Sequence, residues 1–343
     1  MSGRKVKNME EFAVVSGISR PTVSKFFHDP ESVRKSTRRK IEAALEQYDY
    51  RPNIFAINQN RKLTKTVGIV VPYLADPFFA EIARKIERRC IEAGYWPTLF
   101  SSHGERKYES DILETLRSLK PAGVLLAPVG RASDRAAVET FCKNVPTVLF
   151  DSNIEDMGAA FVGSDNFSFV SQSVDYLTRS GSAPVFFEMR TPPNPNANKR
   201  RLAYIEIMEK LNFKPQIIQV EGEGWEFEQF GYQGAMRVLA GDELTSDTVL
   251  CSNDRLAIGF LAAAYEKGVQ VGIGPSATLR VASHDDHPFS RFTCPSLTTV
   301  AHDYEAVSNR SVETLFRLIE EGGTFDSRDE TLFPARLILR ASA

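Results

Sequence analysis

From residue 66 onward the chain alternates two kinds of segment, and that alternation restricts its possible folds more than any other feature. The run "TVGIVVP" (66–72) is apolar and valine-rich with no polar alternation, the pattern of a strand covered on both faces. An amphipathic stretch, "DPFFAEIARKIERRCIEAG", comes next. Strands are then expected at "WPTLFSS", "AGVLLAP" and "VPTVLFD", with helices at 105–119 and 133–143. A second series runs through "APVFFEM", "PQIIQV", "DTVLCS" and "TLRVAS", with helices near 166–180, 198–211, 228–240 and 254–267. Strands alternating with helices build parallel sheets joined by right-handed crossovers. The number of units predicts two such sheets, hence two lobes, and ligands bind at the carboxyl ends of such strands.

The first 65 residues read differently. They hold 14 Lys and Arg against 7 Asp and Glu, whereas the remainder holds 28 against 37. A basic head on an acidic body suggests that the head meets a polyanion. "NMEEFAVV" has apolar positions near helical spacing with Asn8 as N-cap, and Gly17 of "SGIS" can turn the chain sharply. "SRPTVSKFF" opens a second short helix with Ser19 as its N-cap, which places Pro21 in the first turn, where an N–H has no intrahelical partner. "STRRKIEAALEQYDY" sets Ile41, Leu45 and Tyr48 on one face of a third helix. Three short helices with a glycine turn between the first two make a helix-turn-helix head, all α.

A helix-turn-helix lays its second helix in the major groove of DNA, N-terminal residues on the base edges. Here those residues are Ser19, Arg20, Pro21, Thr22, Ser24 and Lys25. Arg20 can fork onto a guanine, and Pro21 offers an apolar surface to a thymine methyl. Lys7, with Lys5, Arg34, Lys35, Arg38, Arg39 and Arg51, supplies charge for the phosphates, which sets affinity and not sequence preference.

The four cysteines, Cys90, Cys142, Cys251 and Cys294, are scattered beside apolar runs, with no CxxC pair. That spacing implies neither a disulfide framework nor a zinc site, and a reducing compartment. "MSGRKVKNMEEF" lacks the apolar core of a secretory signal, and no run nears 18 uninterrupted apolar residues, so a cytoplasmic protein without a membrane partner is expected. The chain holds no GxGxxG after a strand, no GxxxxGK[ST] and no GxSxG, which speaks against an enzyme.

The head resembles that of the lactose-repressor (LacI/GalR) family of bacterial transcription regulators. The likeness is carried by "AVVSGISRPTVSKFFHDPESV" and by "TRRKIEAALEQYDYRPN", Thr37 to Asn53, and it extends over the whole chain. It implies a helix-turn-helix domain at 1–52, a hinge helix and linker at 53–65, and a two-lobed core at 66–343 similar to periplasmic binding proteins. The first lobe would comprise about 66–163 and 295–322, the second about 164–292 and 323–343. The family's hinge reads x-x-A-R-x-L after Pro-Asn, and its leucine wedges into the minor groove. This chain keeps Asn53 and Ala56 but has Ile57 in place of the arginine and Gln59 in place of the leucine. Gln59 is a poor wedge, and Ile57 is the apolar candidate.

The resemblance also implies an effector site. "DPFF" contributes Asp76, Pro77, Phe78 and Phe79, with Tyr73 just before it. "VLFDSN" places Asp151 past a strand end. "NANKRRLAYIEI" resembles the family's R-L-x-G start, aligning Arg201 with its arginine; Arg200 is adjacent, and Tyr204 replaces the glycine. Trp225 is the stacking aromatic, with Phe227 as rival. "SNDRLAIGF" gives Asn253 and Asp254, and "SHDDH" gives His284 and Asp285. The "HDDH" run also invites a metal reading, but neighbouring residues point apart, so no metal and no cofactor is expected. The implied function is a repressor of carbohydrate-utilisation genes, a homodimer on palindromic operator DNA, released or retained by a monosaccharide, sugar acid or small glycoside between the lobes. A metabolic enzyme and a periplasmic sugar carrier are the rival readings.

Overall fold

The head is assembled around one aromatic residue. In the computed structural model, which describes residues 6–50, 64–241, 243–322 and 327–343, Phe12 is completely buried and stacks on Tyr50 at 4.8 Å. The helices Met9–Ser16, Arg20–His28 and Lys35–Tyr48 enclose it, with a short 3-10 turn at Pro30–Ser32. Asn8 caps the first helix by accepting the Glu11 N–H at 2.8 Å. Gly17, at φ +64°, ends that helix, where a side chain would be strained, and the Ile18 N–H reaches back to the Ala13 carbonyl at 3.2 Å. Val23 and Ile41 complete the core, both fully buried. Ser19 occupies the N-cap position of the second helix but makes no capping hydrogen bond. Its hydroxyl pairs with that of Thr22 at 2.8 Å, so the expected cap is a side-chain pair one turn long.

The chain divides into two compact units, Met1–Thr64 and Lys65–Ala343. The second contains two six-stranded sheets. The first sheet takes β1 (Thr66–Val71), β2 (Trp96–Ser101), β3 (Gly123–Leu126), β4 (Thr147–Phe150), β5 (Ala160–Ser164) and β11 (Asp329–Phe333), in the order β11-β5-β4-β3-β1-β2. The second takes β6 (Val185–Met189), β7 (Ile217–Val220), β8 (Thr248–Cys251), β9 (Arg280–Asp285), β10 (Thr298–Ala301) and β12 (Arg336–Ile338), in the order β12-β10-β9-β8-β6-β7. Among the described residues every strand pairing is parallel except β10 with β12. Each sheet reverses its winding beside its first strand, between β1 and β3 and between β6 and β8. Such switch points open a crevice at the strands' carboxyl ends.

The two-lobe expectation holds, but its boundaries move. The 295–322 segment was expected in the first lobe. Instead β10 continues the second sheet, with Thr298 opposite Ala282 of β9. Only afterwards does the helix Tyr304–Glu320 pack on the first sheet. Conversely, β11 pairs with β5 in the first sheet, Asp329 opposite Ala160, although 323–343 was expected in the second lobe. The chain therefore passes between lobes in the short links after β5, β10 and β11, because each crossover follows a completed strand. The last helix and β5, β10, β11 and β12 were not read from the sequence: β5, "AFVGS", and β10, "TTVA", are too short and too poor in large residues to announce themselves. Among the described residues no helix is long and apolar enough to cross a membrane.

Candidate functional site

On the head, the helix Arg20–His28 buries Val23 and Phe26 and turns Arg20, Pro21, Ser24 and Lys25 to solvent, with Ser19 exposed just before it and Thr22 half-buried. This follows from helical spacing, since i and i+3 share the inward face. Among the described residues neither Arg20 nor Lys25 pairs with a carboxylate, whereas Arg38 is tied to Glu31. Lys7, Arg34, Lys35 and Arg39 are also exposed. The result is a short polar probe with unspent donors on a basic support. The hinge positions Asn53, Ala56, Ile57 and Gln59 lie outside the described residues.

In the core, strand ends of both lobes meet across a narrow cleft. From the first lobe come Asp76, Phe78 and Phe79 after β1 and Asp151 after β4. From the second come Arg200, Trp225, Asn253 after β8 and Asp285 at the end of β9. The lobes touch directly. Arg255 Nη1 reaches Asp76 Oδ2 at 3.1 Å, and Asn196 Nδ2 donates to Asp151 Oδ1 at 2.9 Å. Tyr73 stacks flat on Trp225, centroids 5.0 Å apart at 12°. The space left among these side chains is about 30 Å³, enough for a water or two and too small for a sugar, so the lobes stand closed on each other.

Arg200 organises the cleft floor. Its Nη2 lies 2.7 Å from Asp285 Oδ1, its Nη1 donates to the Ser252 carbonyl at 2.8 Å, and its Nε donates to Asn166 Oδ1 at 3.1 Å. Burial alone would raise the Asp285 carboxyl, but the Arg200 guanidinium and the His302 imidazole hold it down at about 2. The other cleft carboxyls lack so complete a partner. Burial raises Asp76 to about 6 against the pull of Arg255, and raises Asp151 to about 7. Asp151 and Asp285 also sit at positive φ, +60° and +118°, which non-glycine residues rarely adopt and which clusters at functional sites.

Three expected contacts lie elsewhere. Arg201 points away from the cleft and bonds Glu188 at 3.2 Å and Asn198 at 2.8 Å; Arg200, one residue earlier, faces inward because a helix turns about 100° per residue. His284 is completely buried behind β9 against Ser173 Oγ at 3.0 Å, since strand neighbours point to opposite faces and Asp285 takes the cleft side. Asp254 is also fully buried. It accepts the His287 backbone N–H at 2.9 Å and the Thr299 hydroxyl at 2.6 Å, tying the 254–266 helix to β10. Asn253 borders the cleft and caps that helix through the Leu256 N–H at 2.8 Å.

Sequence reasoning missed Arg255, His287 and His302, and treated Phe227 as a rival to Trp225, whereas both line the cleft. Arg255 directly follows the Asn-Asp pair, where a third polar residue at a helix start was a usable signal. It holds Glu228 through two bonds of 2.7 Å. His302 follows the unread strand β10 and had no signal without it. Among the described residues no group of three or more His, Cys, Asp or Glu is arranged to hold a metal ion.

Residues 8–53 match the family of bacterial regulatory proteins, lacI family, and residues 174–343 match the periplasmic binding protein-like domain. A helix-turn-helix head together with a two-lobed, periplasmic-binding-protein-like core is the architecture of a DNA-binding transcription regulator, and the relatives matched over most of the chain are regulators rather than enzymes. The chain thus joins a head of the lacI family's kind to a periplasmic binding protein-like core. Its relatives include the ribose operon repressor of Escherichia coli (strain K12), 26% identical over 314 residues that span 91% of this chain and 93% of that one. They also include the NTD biosynthesis operon regulator NtdR of Bacillus subtilis (strain 168), 23% identical over 97% of this chain and 99% of that one. The fold is shared with the lac repressor dimer bound to operator and the anti-inducer ONPF, at a TM-score of 0.83 and 22% identity over 99% of each chain. It is also shared with a LacI family regulator from Enterococcus faecium with bound ribose, at 0.69 and 20% identity over 81% of this chain and 98% of that one.

Proposed function

We propose that this chain is a repressor of carbohydrate-utilisation genes. It acts in the cytoplasm as a homodimer on a palindromic operator, and a small sugar or sugar derivative between the core lobes controls its affinity. The reading of base edges falls to Ser19, Arg20, Pro21, Thr22, Ser24 and Lys25, with Lys7 on phosphate and Asn53, Ala56, Ile57 and Gln59 in the minor groove. The effector contacts are Tyr73, Asp76, Phe78, Phe79, Asp151, Arg200, Trp225, Asn253 and Asp285. Two-fold symmetry in the protein is mirrored in an operator with two half-sites.

The observation that carries the effector reading is the cleft itself. Ionised Asp285 on Arg200, flanked by aromatic faces and faced by Asp76 and Asp151 of the first lobe, suits a ligand rich in hydroxyls. Because the lobes bind each other through Asp76–Arg255 and Tyr73–Trp225, a ligand that enters must replace these contacts with its own. That changes the lobe angle and gives the differential affinity that coupling to a second site requires.

The test is a gel shift of the full chain on the DNA upstream of its own gene, with and without sugars. A salt-sensitive shift of operator size that one sugar abolishes or strengthens is expected. A chain that leaves this DNA unshifted at low salt while still binding sugar would behave as a carrier, and the regulatory reading would fail.

A further inference from the structure

We propose that His287 contacts the effector directly and that the effector is an uncharged polyol. This rests on the reading of the cleft as a sugar site, and it concerns which sugar chemistry the cleft admits.

The imidazole of His287 borders the cleft and is only 3% exposed, yet among the described residues neither of its ring nitrogens has a hydrogen-bond partner. A buried polar group without a partner is costly, and natural structures rarely leave two on one ring. The side chain is also held in place. The His287 backbone N–H is fixed on Asp254 Oδ2 at 2.9 Å, and its ring lies 5.4 Å from that of Phe289. The second imidazole of the cleft shows the contrast. His302 uses Nδ1 on Ser164 Oγ at 2.7 Å and Nε2 on Asp285 Oδ1 at 3.2 Å. One histidine is therefore committed to the protein, and the other presents a donor and an acceptor to whatever occupies the cleft.

The charges around it decide what that occupant is. Arg200 is matched by Asp285, and Arg255 is matched by Glu228 and Asp76, each of the three nitrogens of either guanidinium already engaged. Asp151 adds a further carboxyl, which uses one oxygen on Asn196. When the lobes part, Arg255 gives up Asp76 but stays on Glu228 through Nε and Nη2, and Arg200 stays on Asp285, so a carboxylate or phosphate entering here meets no uncompensated cation among the described residues that line the cleft. A hydroxyl group meets what it needs: it can donate to a carboxylate oxygen, and it can both donate to and accept from a neutral imidazole. Neighbouring hydroxyls on one ring would occupy His287 and an aspartate together.

The experiment is a thermal-shift screen of the full-length chain, followed by calorimetric titration of any hit. The probes are ribose, xylose, glucose and galactose, then gluconate, glucuronate and galacturonate, then glucose 6-phosphate and ribose 5-phosphate, then glucosamine. A neutral sugar should raise the melting temperature, and the charged ones should not. His287→Leu should weaken that sugar's binding by about tenfold or more, and His287→Gln, which keeps a donor and an acceptor, should recover part of the loss. Both variants should still shift operator DNA, which shows that they fold. Binding by the acids, the phosphates or glucosamine in place of the neutral sugars would overturn the uncharged class while leaving a sugar site intact. Unchanged affinity in His287→Leu would overturn the role of His287. No shift with any probe would remove the sugar reading and this inference with it.

Discussion

Arg20 in the head and Arg200 in the core are the same side chain used in opposite ways. Arg20 stands exposed on the first turn of the 20–28 helix, with no carboxylate beside it among the described residues. Arg200 is 5% exposed and spends its donors on Asp285, Asn166 and the Ser252 carbonyl. An exposed guanidinium keeps its donors for a partner that arrives later, so removing it should affect binding and leave folding alone. A buried one is half of a charge pair that folding has already desolvated, so removing it strands the other half.

That contrast is open to measurement. The largest effect is expected from Arg200→Met, which leaves the Asp285 carboxylate buried without its main partner. The core should lose about 3–5 kcal/mol in denaturant unfolding. A loss below about 1 kcal/mol would mean that water or another cation takes over, and that the Arg200–Asp285 pair does not organise the cleft. Arg20→Ala should come next. Operator affinity should fall about tenfold to a hundredfold and base preference should relax at one position of each half-site, with the thermal transition of the core and sugar binding unchanged. An equal loss on random DNA would reassign Arg20 to phosphate.

The smallest effect concerns Asp151. Burial holds its carboxyl at about 7 in the folded chain against roughly 4 in an unfolded one, so the folded state keeps a proton that the unfolded state releases. Its contribution to stability is complete below about pH 4 and is lost as pH rises through about 7. Asp285, held at about 2, runs the other way: its contribution is present above about pH 4 and is lost as pH falls towards 2. Asp151→Asn should therefore flatten the fall in melting temperature between pH 5 and 8 and leave the acid limb as it was. A variant with the same slope as the parent chain across that range would show that Asp151 does not hold its proton in the folded cleft.

Much of the molecule was legible because local chemistry announces it. The valine-rich run at β1, the Asn8 cap, Gly17 and the Ile41-Leu45-Tyr48 face each encode one element within a few residues, and the motifs around Asp76, Asp151, Asn253 and Asp285 mark strand ends. The misses have physical reasons too. Arg201 in place of Arg200, and His284 expected in the cleft where its neighbour Asp285 faces, are errors of direction. One residue along a helix or strand moves a side chain by about 100° or to the opposite face, and a motif alone does not fix that phase. Asp254 was expected on the ligand, but its carboxylate is consumed by Thr299, Ser290 and the His287 N–H, two of which lie some 35 to 45 positions later in the chain.

The sequence by itself determined the division into a basic helical head and an alternating α/β core, and the surface the head presents. These depend on periodicity, caps and charge, which act over a turn or two of chain. Only the tertiary structure decided where the chain crosses between lobes, which of two adjacent arginines enters the cleft, and which histidine is left with free nitrogens. Those outcomes depend on burial and on hydrogen bonds between residues more than a hundred positions apart, such as Ser164 with His302 and Asp76 with Arg255. Such pairings exist only once both sheets have formed and closed on each other.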